Sequence, residues 1–226
     1  MPTSPLQIAI DGPAASGKTT VARSLAGRLN VLYLDTGAMY RALAYLAVHT
    51  LTEVDNENAL IRLLEQHPIR VMLDLNAHLG FRIFTGDREL EQEQLESPEV
   101  TAVVSTIAAH PRIREAMVAQ QRHIAAQGAV VMAGRDIGTV VLPGAPCKIF
   151  LTASVEARVA RRRAQLVAAG VEVSELGLTA EIEERDRLDE NRAVSPLRNA
   201  PDAHLIDSSD LTAGEVVDRI CAIVPA

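Results

Sequence analysis

Residues 6–29 read LQIAIDGPAASGKTTVARSLAGRL. Leu6–Ile10 is a short apolar run, and Val21, Leu25 and Leu29 recur at helical spacing. Between them, Gly12-Pro13-Ala14-Ala15-Ser16-Gly17-Lys18-Thr19 matches GxxxxGK[ST] at every fixed position, with Thr20 following. Strand, glycine loop and helix in that order let backbone N–H groups turn inward and close on phosphate oxygens at the positive end of the helix. In such a loop Lys18 reaches the β- and γ-phosphates and the Thr19 hydroxyl takes Mg²⁺. A glycine turn ahead of a helix, with no ligand, is the plain alternative. The stretch therefore points to a bound nucleoside triphosphate and leaves open what receives the phosphate.

Further along, Val31–Leu34, Ala129–Ala133, Lys148–Leu151 and His204–Asp207 read as strands. Helical periodicity covers 39–49, 98–127 with a restart near Pro111, 155–169, 179–191 and 213–223. Alternating strands and helices predict an α/β fold built on a doubly wound parallel sheet. Residues 61–98 differ. Ile69–Leu73 and Phe81–Phe84 read as two strands joined by a turn through 76–80, and 87–99 as an acidic loop. This segment is too short for a core of its own, so it is expected as an insertion on the main sheet. Ligands of such sheets bind beyond the carboxyl ends of the strands. Those ends carry Asp11-Gly12, Asp35-Thr36-Gly37 and Gly134-Arg135-Asp136, all polar and glycine-bearing.

The 226 residues fit one domain. Hydrophobic residues make up 48% and aromatics 3%, so the core rests on Ala, Val, Leu and Ile. The formal net charge of −7 argues against a general nucleic-acid or anionic-membrane surface, which needs a basic footprint. Cys147 and Cys221 lie far apart with no metal or redox spacing, and read as reduced thiols. No apolar run reaches the ~18 residues of a membrane helix, and no signal peptide is evident. A cytoplasmic monomer is the expectation.

Several polar groups are candidates for chemistry. Arg41 opens a helix beside the phosphate site, either as a solvated group or as a contact to an acceptor phosphate. Arg135 and Asp136 form a simple ion pair, or a phosphate grip with an acceptor for a substrate donor. Arg158, Arg161 and Arg162 share one helix side, and Arg185, Asp189 and Arg192 another. No acid is spaced to match the cations at 158–163, so either a charged surface helix or a lid placing cations over a migrating phosphoryl group fits. The six histidines show no metal spacing, and Ser105, Ser195 and Ser208 lack a nucleophile-elbow setting.

Taken together, IDGPAASGKTT, LDTGAMYR, AGRDIGTVV and ERDRLDENRAVSPL resemble the bacterial cytidylate kinase family, in order from Ile10 to about Asp207. The resemblance implies ATP- and Mg²⁺-dependent phosphorylation of CMP and dCMP on a P-loop kinase core. It implies an NMP-binding part at 37–110, which includes the 61–98 insertion, and a helical lid at 154–192. It also implies that Arg41, Arg135 and Arg192 hold the CMP phosphate, and that Ser105, Arg114 and Asp136 read the cytosine. Arg185 and Asp189 would contact the sugar, Thr36 would sit near the acceptor, and Arg158, Arg161 and Arg162 would face the transferred group. Here Thr36 stands where many members have Ser, and Leu188 and Glu190 where relatives are more basic. Rival readings are a P-loop kinase for UMP, AMP or a metabolite such as shikimate, a GTP switch and a nucleic-acid-dependent ATPase. A switch would want an NKxD-like motif, and none is present.

Overall fold

The computed structural model describes residues 5–225 apart from 75, 76, 78, 169 and 172. Asn76 and His78 of the expected turn and Ala169 of the expected helix end therefore lie outside the described residues. The main sheet has five strands: β1 (Gln7–Asp11), β2 (Leu32–Asp35), β6 (Val130–Gly134), β7 (Cys147–Thr152) and β8 (His204–Asp207). Their order is β2-β6-β1-β7-β8, and every pairing is parallel. Ile8, Ala9 and Ile10 of the central strand are fully buried, as are Val131 and Met132 of β6. The middles of these strands are apolar because helices cover both of their faces in such a sheet.

Register sets where the site falls. Asp11 lies opposite Gly134 and Asp35 opposite Ala133, so β1, β6 and β2 end level with one another. The expected strand ends thus converge on one rim. From β1 the loop enters α1 (Lys18–Leu29), which packs on β6 and on α9 (Ala213–Cys221). From β2 the chain turns at once into α2 (Thr36–His49), three residues earlier than its periodicity suggests. The Asp35 carboxylate accepts the Gly37 N–H at 2.9 Å and caps that start, while the Thr36 hydroxyl donates to the Ala133 carbonyl at 3.0 Å.

The segment at 61–98 is folded more fully than its sequence suggests. It is preceded by α3 (Glu57–Gln66), which the sequence reading cut through the middle. β3 (Ile69–Leu73), β4 (Phe81–Thr85) and β5 (Arg88–Leu90) form a separate antiparallel sheet rather than extending the main one. The stretch at 87–99 is not a loop: β5 is followed by α4 (Gln92–Leu95). Leu90 and Leu95 carry the burial there, and the acids around them stay outside. Ile69, Phe81 and Ile83 reach the common core, with α2 packed against β3 and β4. The long helical stretch splits as expected into α5 (Pro98–Ile107) and α6 (Pro111–Ala125), each with proline in its first turn.

After β6 comes a single π turn, Ile137–Val141, which the sequence did not suggest. After β7, α7 (Val155–Ala168) and α8 (Glu175–Glu190) pair as an arm, with α8 beginning four residues earlier than expected. The arm has its own small cluster of Val159, Leu178 and Ile182, and Ala15 of the glycine loop packs against it. No helix among the described residues is long and apolar enough to cross a membrane.

Candidate active site

The loop backbone is built for close approach. At Gly12 (φ +152°) a Cβ would lie 2.0 Å from the Leu151 carbonyl oxygen, so no side chain fits. Gly17 has φ +91° and caps α1. Ala15 holds φ +56°, a left-handed conformation that costs a non-glycine residue roughly 1 kcal/mol. Lys18 is folded back over the loop, its ammonium donating to the Pro13 carbonyl at 2.5 Å and to Ser16 Oγ at 3.2 Å. Burial, and then the nearby Arg135, push its pKa well below the usual lysine range. A phosphate anion in the loop would oppose both causes by attraction and favour the charged amine. Thr19 is exposed, with Oγ1 3.5 Å from Asp35 Oδ2.

Beyond β6 lies a layer of paired charges. Arg114 on α6 is only 2% exposed; its Nη2 donates to Asp136 Oδ2 and its Nη1 to the Ala108 carbonyl at 3.1 Å. Its guanidinium lies 5.4 Å over the Tyr40 ring. No described residue donates to Asp136 Oδ1. Asp189 on α8 is buried and holds two arginines: Arg135 Nε donates to Oδ2 at 2.7 Å, and Arg192 Nη2 donates to Oδ1. Burial alone would raise the Asp189 pKa, but Arg135 and Arg192 outweigh it and hold it below the carboxylate range. Arg41 faces Asp35 at 3.4 Å.

Arg185 is different. It has no ion pair or hydrogen bond among the described residues, and its Nε is buried without a partner. Burial pushes its pKa down to about 10, and Arg135, Arg41 and Arg162 add to the push. Four guanidinium groups therefore crowd one place with too little negative charge among them. Lys18 belongs to the same group electrostatically, through Arg135, Asp35 and Asp189. Such an arrangement is held for an anion.

The arm arginines divide, which corrects the expectation that no acids match them. Arg158 is buried, and its Nη1 donates to Asp186 Oδ2 at 2.5 Å and to the Ala14 carbonyl at 3.2 Å. Asp186 Oδ1 in turn accepts the Ala14 N–H at 3.4 Å. Arg161 donates to Ser208 Oγ at 3.0 Å and to the Ser208 carbonyl, and Ser208 Oγ donates to the Ser16 carbonyl at 3.2 Å. Arg163 faces Glu175 across the hairpin at 3.5 Å. The acids come from α8, folded back on α7, so spacing along one helix could not reveal them. Arg161 and Arg162 have no ion pair among the described residues, and of the two Arg161 is held by Ser208. Ser105, half-buried on α5, makes no side-chain hydrogen bond among the described residues.

A family model described as "Cytidylate kinase" matches residues 8–226. The chain belongs to the cytidylate kinase family. A cytidylate kinase of Geobacillus sp. (strain WCH70) is 49% identical over 97% of this chain and 96% of its own length. One from Enterococcus faecalis (strain ATCC 700802 / V583) is 48% identical over 97% and 95%. Among solved structures, an uncharacterized protein from Eubacterium ventriosum ATCC 27560 shares the fold, with a TM-score of 0.55 at 13% identity over 97% of this chain and 98% of that one.

Within this cytidylate kinase family member, the structure gives partners to residues for which the sequence suggested no contact. Asp35 anchors Arg41 and caps α2. Asp186 and Ser208 tie the arm to the loop. Asp11 accepts two backbone N–H groups from the π turn. Asp186 stands next to Arg185 within a quoted motif, yet its partner Arg158 is 28 residues away, too far for any helical spacing to show.

Proposed function

We infer that this chain transfers the γ-phosphoryl group of ATP to CMP and dCMP, giving ADP with CDP or dCDP. The observation that carries the reading is the excess of cations around Arg185 at the rim shared by the phosphate loop and the Arg114–Asp136 pair. One end of that rim suits a triphosphate, the other a base with a donor group, and the unpaired charge between them suits two phosphates meeting.

In this reading Arg41, Arg135 and Arg192 hold the acceptor phosphate, with Asp189 and Asp35 fixing the guanidinium groups in place. Asp136 Oδ1 accepts the cytosine N4–H, and Arg114 and Ser105 serve the acceptor edge. Uracil would present an oxygen to that carboxylate, and a buried mismatch of this kind costs on the order of 10⁴ in kcat/KM. Arg185 and Asp189 lie toward the sugar, and Thr36 holds the rim by its bond to Ala133. Arg158 and Arg161 brace the loop carbonyls, which leaves Arg162 as the arm arginine that turns to the moving group. An acceptor phosphate oxygen attacks the γ-phosphorus, and the bond from that phosphorus to the β-phosphate oxygen breaks as ADP leaves. Catalysis is then positioning and charge, with no covalent intermediate on the protein.

Mg²⁺ fits the loop. No three-carboxylate, His or Cys cluster occurs among the described residues, and none is needed, because Mg²⁺ on a nucleotide takes most of its oxygens from phosphates and water. The Thr19 hydroxyl, with Asp35 3.5 Å away, supplies what the protein contributes. When bound, the ion neutralises charge between the β- and γ-phosphates. We assign 37–110 to acceptor binding and 154–192 to a lid. The test is an acceptor screen with Mg·ATP over CMP, dCMP, UMP, AMP and shikimate. CMP or dCMP is expected as the best acceptor; a best acceptor outside that pair overturns the assignment.

A further inference from the structure

Asp11 is the last residue of β1 and the one before the loop glycine Gly12. It is 4% exposed and touches no residue of the charge layer described above through a hydrogen bond. Its two oxygens accept consecutive backbone N–H groups, Ile137 at 2.8 Å and Gly138 at 2.7 Å. Those donors open the π turn that follows Arg135 and Asp136. At the other end of the turn, the Val140 and Val141 N–H groups donate back to the Asp136 carbonyl at 2.8 and 3.1 Å. The turn is thus closed on the Asp136 carbonyl at its far end and held by Asp11 at its opening residues.

The fit is tight from both sides. A Cβ at Gly138 would lie 3.3 Å from Asp11 Oδ2 and 3.3 Å from Lys148 Cδ, so a side chain there would push the carboxylate or the lysine stem aside by a few tenths of an ångström. The carboxylate bears a cost for its place. Burial, and then the charge of Asp136, lift its pKa to about 6, against the two N–H bonds and Lys18, which act to lower it.

We propose that Asp11 is a positioning residue for the phosphoryl transfer: it registers the acceptor-side residues Arg135 and Asp136 against the donor loop that begins at Gly12. This rests on the functional reading above and adds to it the part that joins the two sites. One rigid strand end carries the loop on its main chain and the acceptor turn on its side chain. A shift of the turn then displaces the acceptor relative to the γ-phosphate without unfolding either site.

The test uses Asp11→Asn and Gly138→Ala in the full chain. Asn keeps the shape but offers one oxygen and turns an NH₂ toward the second N–H; Ala at 138 strikes the same contact from the turn side. Binding of CMP without ATP, and of ATP without CMP, is measured by equilibrium dialysis, alongside steady-state kinetics and thermal melting. For Asp11→Asn, CMP affinity is expected to fall about tenfold and kcat with it, while ATP affinity changes less than about threefold. Gly138→Ala moves the same way by a smaller factor. CMP binding unchanged in both variants, or a loss confined to ATP, overturns the proposal. So does lowered melting with binding and kcat intact, since that is what a simple cap would give. If Asp11→Asn fails to fold, Gly138→Ala decides alone on the same readouts. A wild-type chain without CMP turnover overturns the functional reading and this inference with it; an active wild type with unaltered variants overturns the inference only.

Discussion

At the scale of single residues, the loop lysine and the buried pair behind it make opposite predictions. Lys18 is desolvated and its amine is pulled below its usual pKa, so it contributes little to the stability of the fold. Its removal should leave the fold intact and strip the charge that meets the phosphates. Lys18→Ala is therefore expected to lower kcat by about 10²–10³ or more, with thermal melting unchanged. Full activity in a coupled ADP assay would refute the phosphate-loop role. Asp136 is the counter-case. Asp136→Ala leaves Arg114 buried without its carboxylate, which costs about 3–5 kcal/mol, so stability and CMP turnover should fall together. Asp136→Asn separates the two effects, because the amide keeps one acceptor and gains a donor. It should retain more stability than Ala and draw the kcat/KM values for CMP and UMP toward each other. A CMP to UMP ratio equal to that of the wild type would show that Asp136 does not read the base.

At the scale of elements, legibility followed how local the determinants are. The β1–loop–α1 unit could be read directly, since its pattern and its phosphate chemistry lie within some twenty consecutive residues. The buried strands of the main sheet were equally plain as apolar runs. The start of α2 was hidden because Thr36 and Gly37 are poor helix formers; an Asp35 cap and a bond to Ala133 on another strand fix it. The three-residue strand β5 and the one-turn helix α4 carry too few periods to detect, and their acids mask Leu90 and Leu95. At the candidate site, the motifs brought forward the residues that carry charge, whereas partners set by tertiary folding escaped. The Arg158–Asp186 contact is the clearest case, and it carries a prediction at this scale. The pair grips both polar groups of the Ala14 peptide, and Ala15 beside it packs into the arm's own cluster. The arm is therefore docked on the donor loop. Asp186→Ala should weaken ATP binding about tenfold, leave CMP binding nearly unchanged and leave an uncompensated Arg158 behind. Equal loss for both nucleotides would place Asp186 in general stability instead.

At the scale of the whole molecule, charge is segregated rather than balanced. There are 22 basic and 29 acidic side chains, for a net −7, yet the rim at the ends of β1, β2 and β6 gathers Lys18, Arg41, Arg135, Arg185 and Arg192. Asp35 and Asp189 offset three of these, and Lys18, Arg162 and Arg185 have no ion pair among the described residues. A net-negative chain with cations gathered at this rim attracts small polyanions there and repels extended ones. Two consequences follow from the same field. For CMP, kcat/KM should fall as KCl rises from about 20 to 200 mM, because the screening length shrinks from roughly 20 Å to under 10 Å. Duplex DNA or RNA should neither inhibit nor stimulate ATP turnover at any salt, since a nucleic acid needs a basic stripe along an exposed face and cannot enter a rim that a mononucleotide fills. Initial rates with CMP across a salt series, with and without added DNA, read both consequences in one experiment. Salt-independent kcat/KM would mean that the cations are already compensated within the protein. Stimulation by DNA would make the arm arginines a binding stripe and return the chain to the class of nucleic-acid-dependent ATPases.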